Sequence, residues 1–68
     1  MIIAERVNQF ITQRRPAAIC DACIASALAL RHQQANRVTM ALGTTSDFVR
    51  DQGTCVDCGK EQKVTQRA

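Results

Sequence analysis

The stretch Cys20-Asp21-Ala22-Cys23 and its counterpart Cys55-Val56-Asp57-Cys58-Gly59-Lys60 contain every cysteine of the chain. Two C-x-x-C pairs form the ligand set of a closed tetrahedral zinc site, in which all four positions are protein sulfur. The two-residue spacer lets a tight turn aim both sulfurs of a pair at one ion, and Gly59 can take the backbone angles that such a knuckle needs. Cys20, Cys23, Cys55 and Cys58 are therefore the candidate metal ligands, and one structural Zn2+ per chain is the expected cofactor. Iron is the alternative occupant of such a set. The competing readings are two disulfides, which suit a secreted chain, and a redox dithiol, which needs only one C-x-x-C.

Outward from the cysteines, 68 residues allow a single domain, residues 1–68. Phe10 and Phe48 are the only aromatic residues, and much of the apolar content is alanine. A core built from these side chains is small, and a metal site fits the shortage because structural zinc binding adds directly to folding free energy. The formal charge is +3. A divalent ion on four thiolates carries −2, which leaves about +1 and makes bulk charge weak support for nucleic acid. Residues 1–15 interrupt their apolar side chains with Glu5, Arg6, Arg14 and Arg15, unlike a secretory leader. No apolar run approaches a membrane span, so no membrane association and a cytoplasmic location are the default expectations.

Residues 2–15 read as a helix, with Ile3, Val7, Phe10 and Ile11 at helical spacing, Arg14 continuing the row, and Pro16 as the stop. Residues 16–20 read as a connection. Asp21 is a good N-cap for a second helix to Leu28 or Ala29, with Cys23 in its first turn, where free N–H groups and the helix dipole favour a thiolate. Leu30-Arg31-His32 reads as a turn. A third helix follows from His32 to Leu42, with Ala35, Val38, Ala41 and Leu42 inward and Gly43 as its C′ residue. Two short helices joined by a brief turn are helix-turn-helix grammar. Beyond Thr44-Thr45-Ser46, Asp47–Arg50 reads as a strand, Asp51-Gln52-Gly53 as a turn and Lys63–Thr65 as a returning strand. The second cysteine pair then lies at or near the tip of a hairpin, and Gln66–Ala68 frays. The expected fold is small α+β: three helices, then a β-hairpin, stapled by zinc. Its order reverses the usual treble-clef arrangement, and the gap between the pairs is long for a zinc ribbon.

Cys20-Asp21-x-Cys23-Ile24-Ala25, then Arg31-x-Gln33-Gln34-x-Asn36, then Phe48-x-Arg50-x-x-Gly53-x-Cys55-x-x-Cys58-Gly59-Lys60 resemble the small zinc-containing winged helix-turn-helix domains of bacterial and mobile-element proteins. The resemblance spans roughly residues 19–65. It implies a winged-helix fold and binding of double-stranded DNA, with the third helix as reader and the hairpin as wing.

The residues support that expectation independently. Gln and Asn pair with adenine and Arg with guanine in the major groove. Gln33, Gln34, Asn36 and Arg37 supply such side chains at the front of the third helix, where base contacts are usually made. Arg31, Arg50, Lys60 and Lys63 are candidate phosphate contacts. A solvated helix face is the plainer reading of the same residues. His32 is the only histidine and reads as a surface residue, since four cysteines already complete the site. There is no convincing acid–base pair for catalysis, and a four-sulfur site has no open position for water. The expected function is that of a DNA-binding regulator or accessory protein, in which a dimer formed through the first helix would supply enough contacts. The alternatives are a zinc-stapled protein-interaction module, with Met40 and Leu30 or Val49 as its apolar patch, and a redox or metal-handling protein.

Overall fold

The computed structural model describes residues 2–68. The elements run α1 (Ile3–Gln13), β1 (Ile19–Cys20), α2 (Asp21–Leu28), α3 (His32–Leu42), β2 (Phe48–Thr54) and β3 (Glu61–Arg67). The strands form one antiparallel sheet in the order β1-β3-β2. The architecture is a small α+β fold in which three helices accompany a three-stranded sheet.

The first helix forms where its spacing predicts. Val7 and Ile11 are fully buried, Ile3 and Phe10 pack against the core, and the polar positions lie largely outside. Each buried aliphatic side chain of this kind contributes about 1.5–3 kcal/mol. The two residues of β1 fall in the segment that the sequence assigns to a connection. They pair with β3, Ile19 opposite Thr65 and Cys20 opposite Val64, so the first cysteine enters the sheet before it caps α2. A strand of two residues has no periodicity to read.

Helix α2 starts at Asp21, but the N-cap is Cys20, and Asp21 is a buried first-turn residue. Its end is a Schellman motif. Leu30 N–H donates to Ala25 O at 2.8 Å, Ala29 N–H donates to Ser26 O at 3.4 Å, and Ala29 sits in the left-handed region at φ 56°. An alanine here occupies the position that usually takes glycine. Helix α3 has the expected bounds, and Gln34 Oε1 accepts the Arg31 N–H at 3.0 Å to close its first turn. Its inward row is Ala35, Val38, Thr39 and Leu42, whereas Ala41 is exposed. A threonine replaces the expected alanine on that face because its hydroxyl has a buried partner. Gly43 is not a left-handed cap, since its φ is −65°. It is small because β2 passes close by: a Cβ there would stand 2.9 Å from Arg50 Cβ.

The hairpin is longer than its turn signals indicated. β2 runs straight through Asp51-Gln52-Gly53, and the reversal falls at the second cysteine pair. Pairing continues from Thr54↔Glu61 to Phe48↔Arg67. The expected fraying at residues 66–68 is replaced by strand to Arg67, whose guanidinium lies over the Phe48 ring and approaches Asp47.

One buried carboxylate joins α2, α3 and β2. Asp21 accepts from Thr39 Oγ1 at 2.7 Å, from Asn36 Nδ2 at 2.8 Å and from Arg50 Nη2 at 2.9 Å. Burial pushes its pKa up, but the hydrogen bonds from Asn36, Thr39 and Arg50, with the Arg50 charge, outweigh that and hold it below its ordinary value of 3.8. This stabilisation is complete above the ordinary carboxylate value and is lost as the pH falls through the depressed one.

Two stability measurements follow from these features. Asp21→Ala leaves Arg50 as a partly buried charge without its carboxylate and is expected to cost about 3–5 kcal/mol in urea unfolding of the metal-loaded chain. A loss below about 1 kcal/mol would show that water replaces the carboxylate. Ala29→Gly relieves the left-handed alanine and is expected to stabilise by about 1 kcal/mol, read as a higher unfolding midpoint at an unchanged urea slope.

Candidate metal centre

Each cysteine reaches the centre from a different kind of backbone. Cys20 ends β1 and caps α2, and Cys23 lies in the first turn of α2. Cys55 follows directly on β2, and Cys58 lies in the reversal before β3. The reversal is a closed knuckle: Cys55 N–H donates to Lys60 O at 3.0 Å and Gly59 N–H to Cys55 O at 2.9 Å. Gly59 has φ 73°, the left-handed conformation its position in the sequence predicts. Val56 N–H donates to Ala18 O at 3.0 Å, which ties the knuckle to the segment leading into β1.

The four Sγ atoms all lie within 4.8 Å of one another. Close approaches run between the pairs, Cys20 to Cys58 at 3.8 Å and Cys23 to Cys55 at 3.7 Å. Ligands about 2.3 Å from a tetrahedral centre stand about 3.8 Å apart, so the sulfur cluster has the size of a four-thiolate metal site. The cysteines are free thiols, not disulfides. Cys20 and Cys55 are buried, Cys23 is half-buried, and Cys58 faces solvent.

Electrostatics divides the set. Burial pushes the Cys20 and Cys23 thiols up. Burial also opposes ionisation of Cys55, but the backbone N–H groups of Cys20, Cys58 and Asp57 converge on its sulfur and bring it down to about 6. The Cys20 N–H lies 3.4 Å from Cys55 Sγ. An anionic sulfur is thus supported by the backbone at one corner, while two neighbours hold their protons until a cation displaces them. Gln62 also belongs to the site, its Nε2 3.8 Å from Cys58 Sγ. Its place in the sequence, four residues after a ligand, marks it only once Cys58 and β3 are known to adjoin.

The remaining candidate residues separate into two groups. Arg31, Gln33, Gln34 and Arg37 are exposed on the front of α3, and Lys60 and Lys63 are exposed on the hairpin. Asn36 and Arg50 are instead turned to Asp21, so their polar ends are engaged inside the fold. Of the residues expected to meet DNA, these two are the ones whose side chains bond Asp21, because a buried carboxylate needs donors and they are within reach. His32 is exposed at the start of α3 and is not among the clustered ligands. No helix among the described residues is long and apolar enough to cross a membrane.

Metal uptake at neutral pH is expected to release the protons of Cys20 and Cys23. Affinity should therefore rise with pH, as read by a competition titration in weak buffer with a pH indicator. Uptake without proton release, or an affinity flat from about pH 6 to pH 8, would contradict the arrangement.

Comparison with known protein families, with curated proteins and with solved structures finds no match for the chain.

Proposed function

We propose that the chain is a zinc-stapled winged helix-turn-helix domain that binds double-stranded DNA, with α3 in the major groove and the β2–β3 hairpin as wing. The observation that carries this reading is the outer face of α3. Arg31, Gln33, Gln34 and Arg37 are exposed there together, and no acidic residue occurs anywhere in His32–Leu42. Long polar side chains at the front of a short helix suit base edges, and Arg31, Lys60 and Lys63 suit phosphates. The order α1-β1-α2-α3-β2-β3, with β3 central in the sheet, supports the winged-helix description. Zinc is favoured as the ion by four cysteine sulfurs gathered within 4.8 Å of one another. In this role the metal is structural, and the chain is a regulator or accessory factor rather than an enzyme.

The second reading is a protein-docking module, favoured by the exposed Met40 on α3 and by Val49 on β2. Met40 is the only large apolar side chain among the exposed residues of α3, whose face is otherwise polar and basic, and DNA is the better match. A single small domain makes few contacts, so site-specific binding is expected to involve a dimer.

Fluorescence anisotropy with a labelled duplex at low ionic strength decides between these readings. Binding is expected to weaken steeply with salt, and Arg37→Glu is expected to reduce affinity at least about 10-fold while metal content and helicity stay unchanged. Absence of salt-dependent binding in the zinc-loaded protein would overturn the DNA reading.

A further inference from the structure

Arg14 continues the apolar row of α1, yet a charged side chain gains nothing from a core position. The structure shows where it goes. Arg14 caps the C-terminal end of α1, its guanidinium lies 5.0 Å from the centroid of the Phe10 ring, and Nη2 donates to Asp57 Oδ1. Asp57 lies within the knuckle, between the ligands Cys55 and Cys58. The contact joins the first helix to the part of the metal site that is most exposed, since Cys58 faces solvent while Cys55 is buried.

Two effects of this contact act in the same direction. The Phe10 ring limits the freedom of the guanidinium, which in turn limits the freedom of the knuckle that presents Cys58. In addition, a divalent ion on four thiolates carries a net −2, and Asp57 adds a further negative charge beside it. Arg14 compensates that carboxylate. Removing Arg14 leaves the metal-loaded centre facing an uncompensated anion, at the end of a looser turn.

We propose that Arg14 is a positioning residue for the metal centre, acting through Asp57 to hold the Cys55–Cys58 knuckle closed and to slow loss of the ion. The proposal rests on the reading of the four cysteines as a metal site, and it is independent of DNA binding. The contact is partly exposed, with side-chain exposures of 38% and 30%, so its effect is modest.

The test compares wild type, Arg14→Gln, Arg14→Lys, Arg15→Gln and Asp57→Asn, each loaded with Zn2+ and mixed with excess chelator, with release followed by a colorimetric zinc indicator. Arg14→Gln is expected to release zinc about 2- to 5-fold faster at unchanged stoichiometry, and the lysine variant to recover part of that loss. The difference should shrink at about 1 M salt, where surface charges are screened. Adding Arg14→Gln to Asp57→Asn should change nothing further, whereas a role confined to the packing of α1 would make the two substitutions additive. Arg15→Gln, the neighbouring charge, should match wild type. Equal release from wild type and Arg14→Gln, or equal acceleration by Arg15→Gln, overturns the role of Arg14. A wild-type chain that takes up no metal overturns the centre itself and this role with it.

Discussion

The fold hangs on two adjacent side chains, Cys20 and Asp21, which fasten one hairpin at two heights. Cys20 meets the hairpin's reversal through the sulfur cluster, and Asp21 meets β2 near its start through Arg50. The backbone between them is where β1 ends and α2 begins. The junction of sheet and helix is therefore held at both ends, and α3 is drawn in by the same carboxylate through Asn36 and Thr39. A core built mainly from Val7, Ile11, Ile19, Ile24, Phe48 and Val64 is small, and these polar and sulfur contacts supply the geometry that apolar packing alone would leave loose.

The same contacts decide which residues are free for function. A buried carboxylate must be satisfied, and the donors that reach Asp21 come from the face of α3 and from β2. Asn36 and Arg50 are thereby half-buried, with their polar ends on Asp21. Of the residues expected to reach DNA from α3 and its N-cap, Arg31, Gln33, Gln34 and Arg37 are exposed, a narrower set than composition implies. In the proposed function these meet DNA, while the metal centre stays chemically silent and keeps the wing in register with the helices.

Much of this was legible from residue order. Spacing marked the four cysteines as a candidate metal site, helical periodicity marked α1 and α3, and Gly59 marked the knuckle. Other features were not legible, and for particular reasons. β1 is too short to carry a period. Asp51-Gln52-Gly53 has turn chemistry, but cross-strand pairing with Val64, Lys63 and Gln62 keeps it extended, since a longer ladder outweighs local preference. Thr39 carries no inward signal of its own, because a polar side chain joins a core only when a buried partner, here Asp21, awaits it. Gly43 has the sequence signature of a C′ residue, although the space beside Arg50 is what requires glycine.

By itself, then, the sequence determined the local and the stoichiometric: which segments are helical, where they stop, and that four thiols are available for one ion. Those properties depend on near neighbours along the chain or on a simple count of ligands. Only the tertiary structure decided how distant side chains are shared out. Asp21 became a buried hub instead of a helix cap, Arg14 became the grip on the knuckle, and Asn36 and Arg50 became internal donors, because each depends on a partner at least 15 residues away that only folding brings within hydrogen-bonding distance.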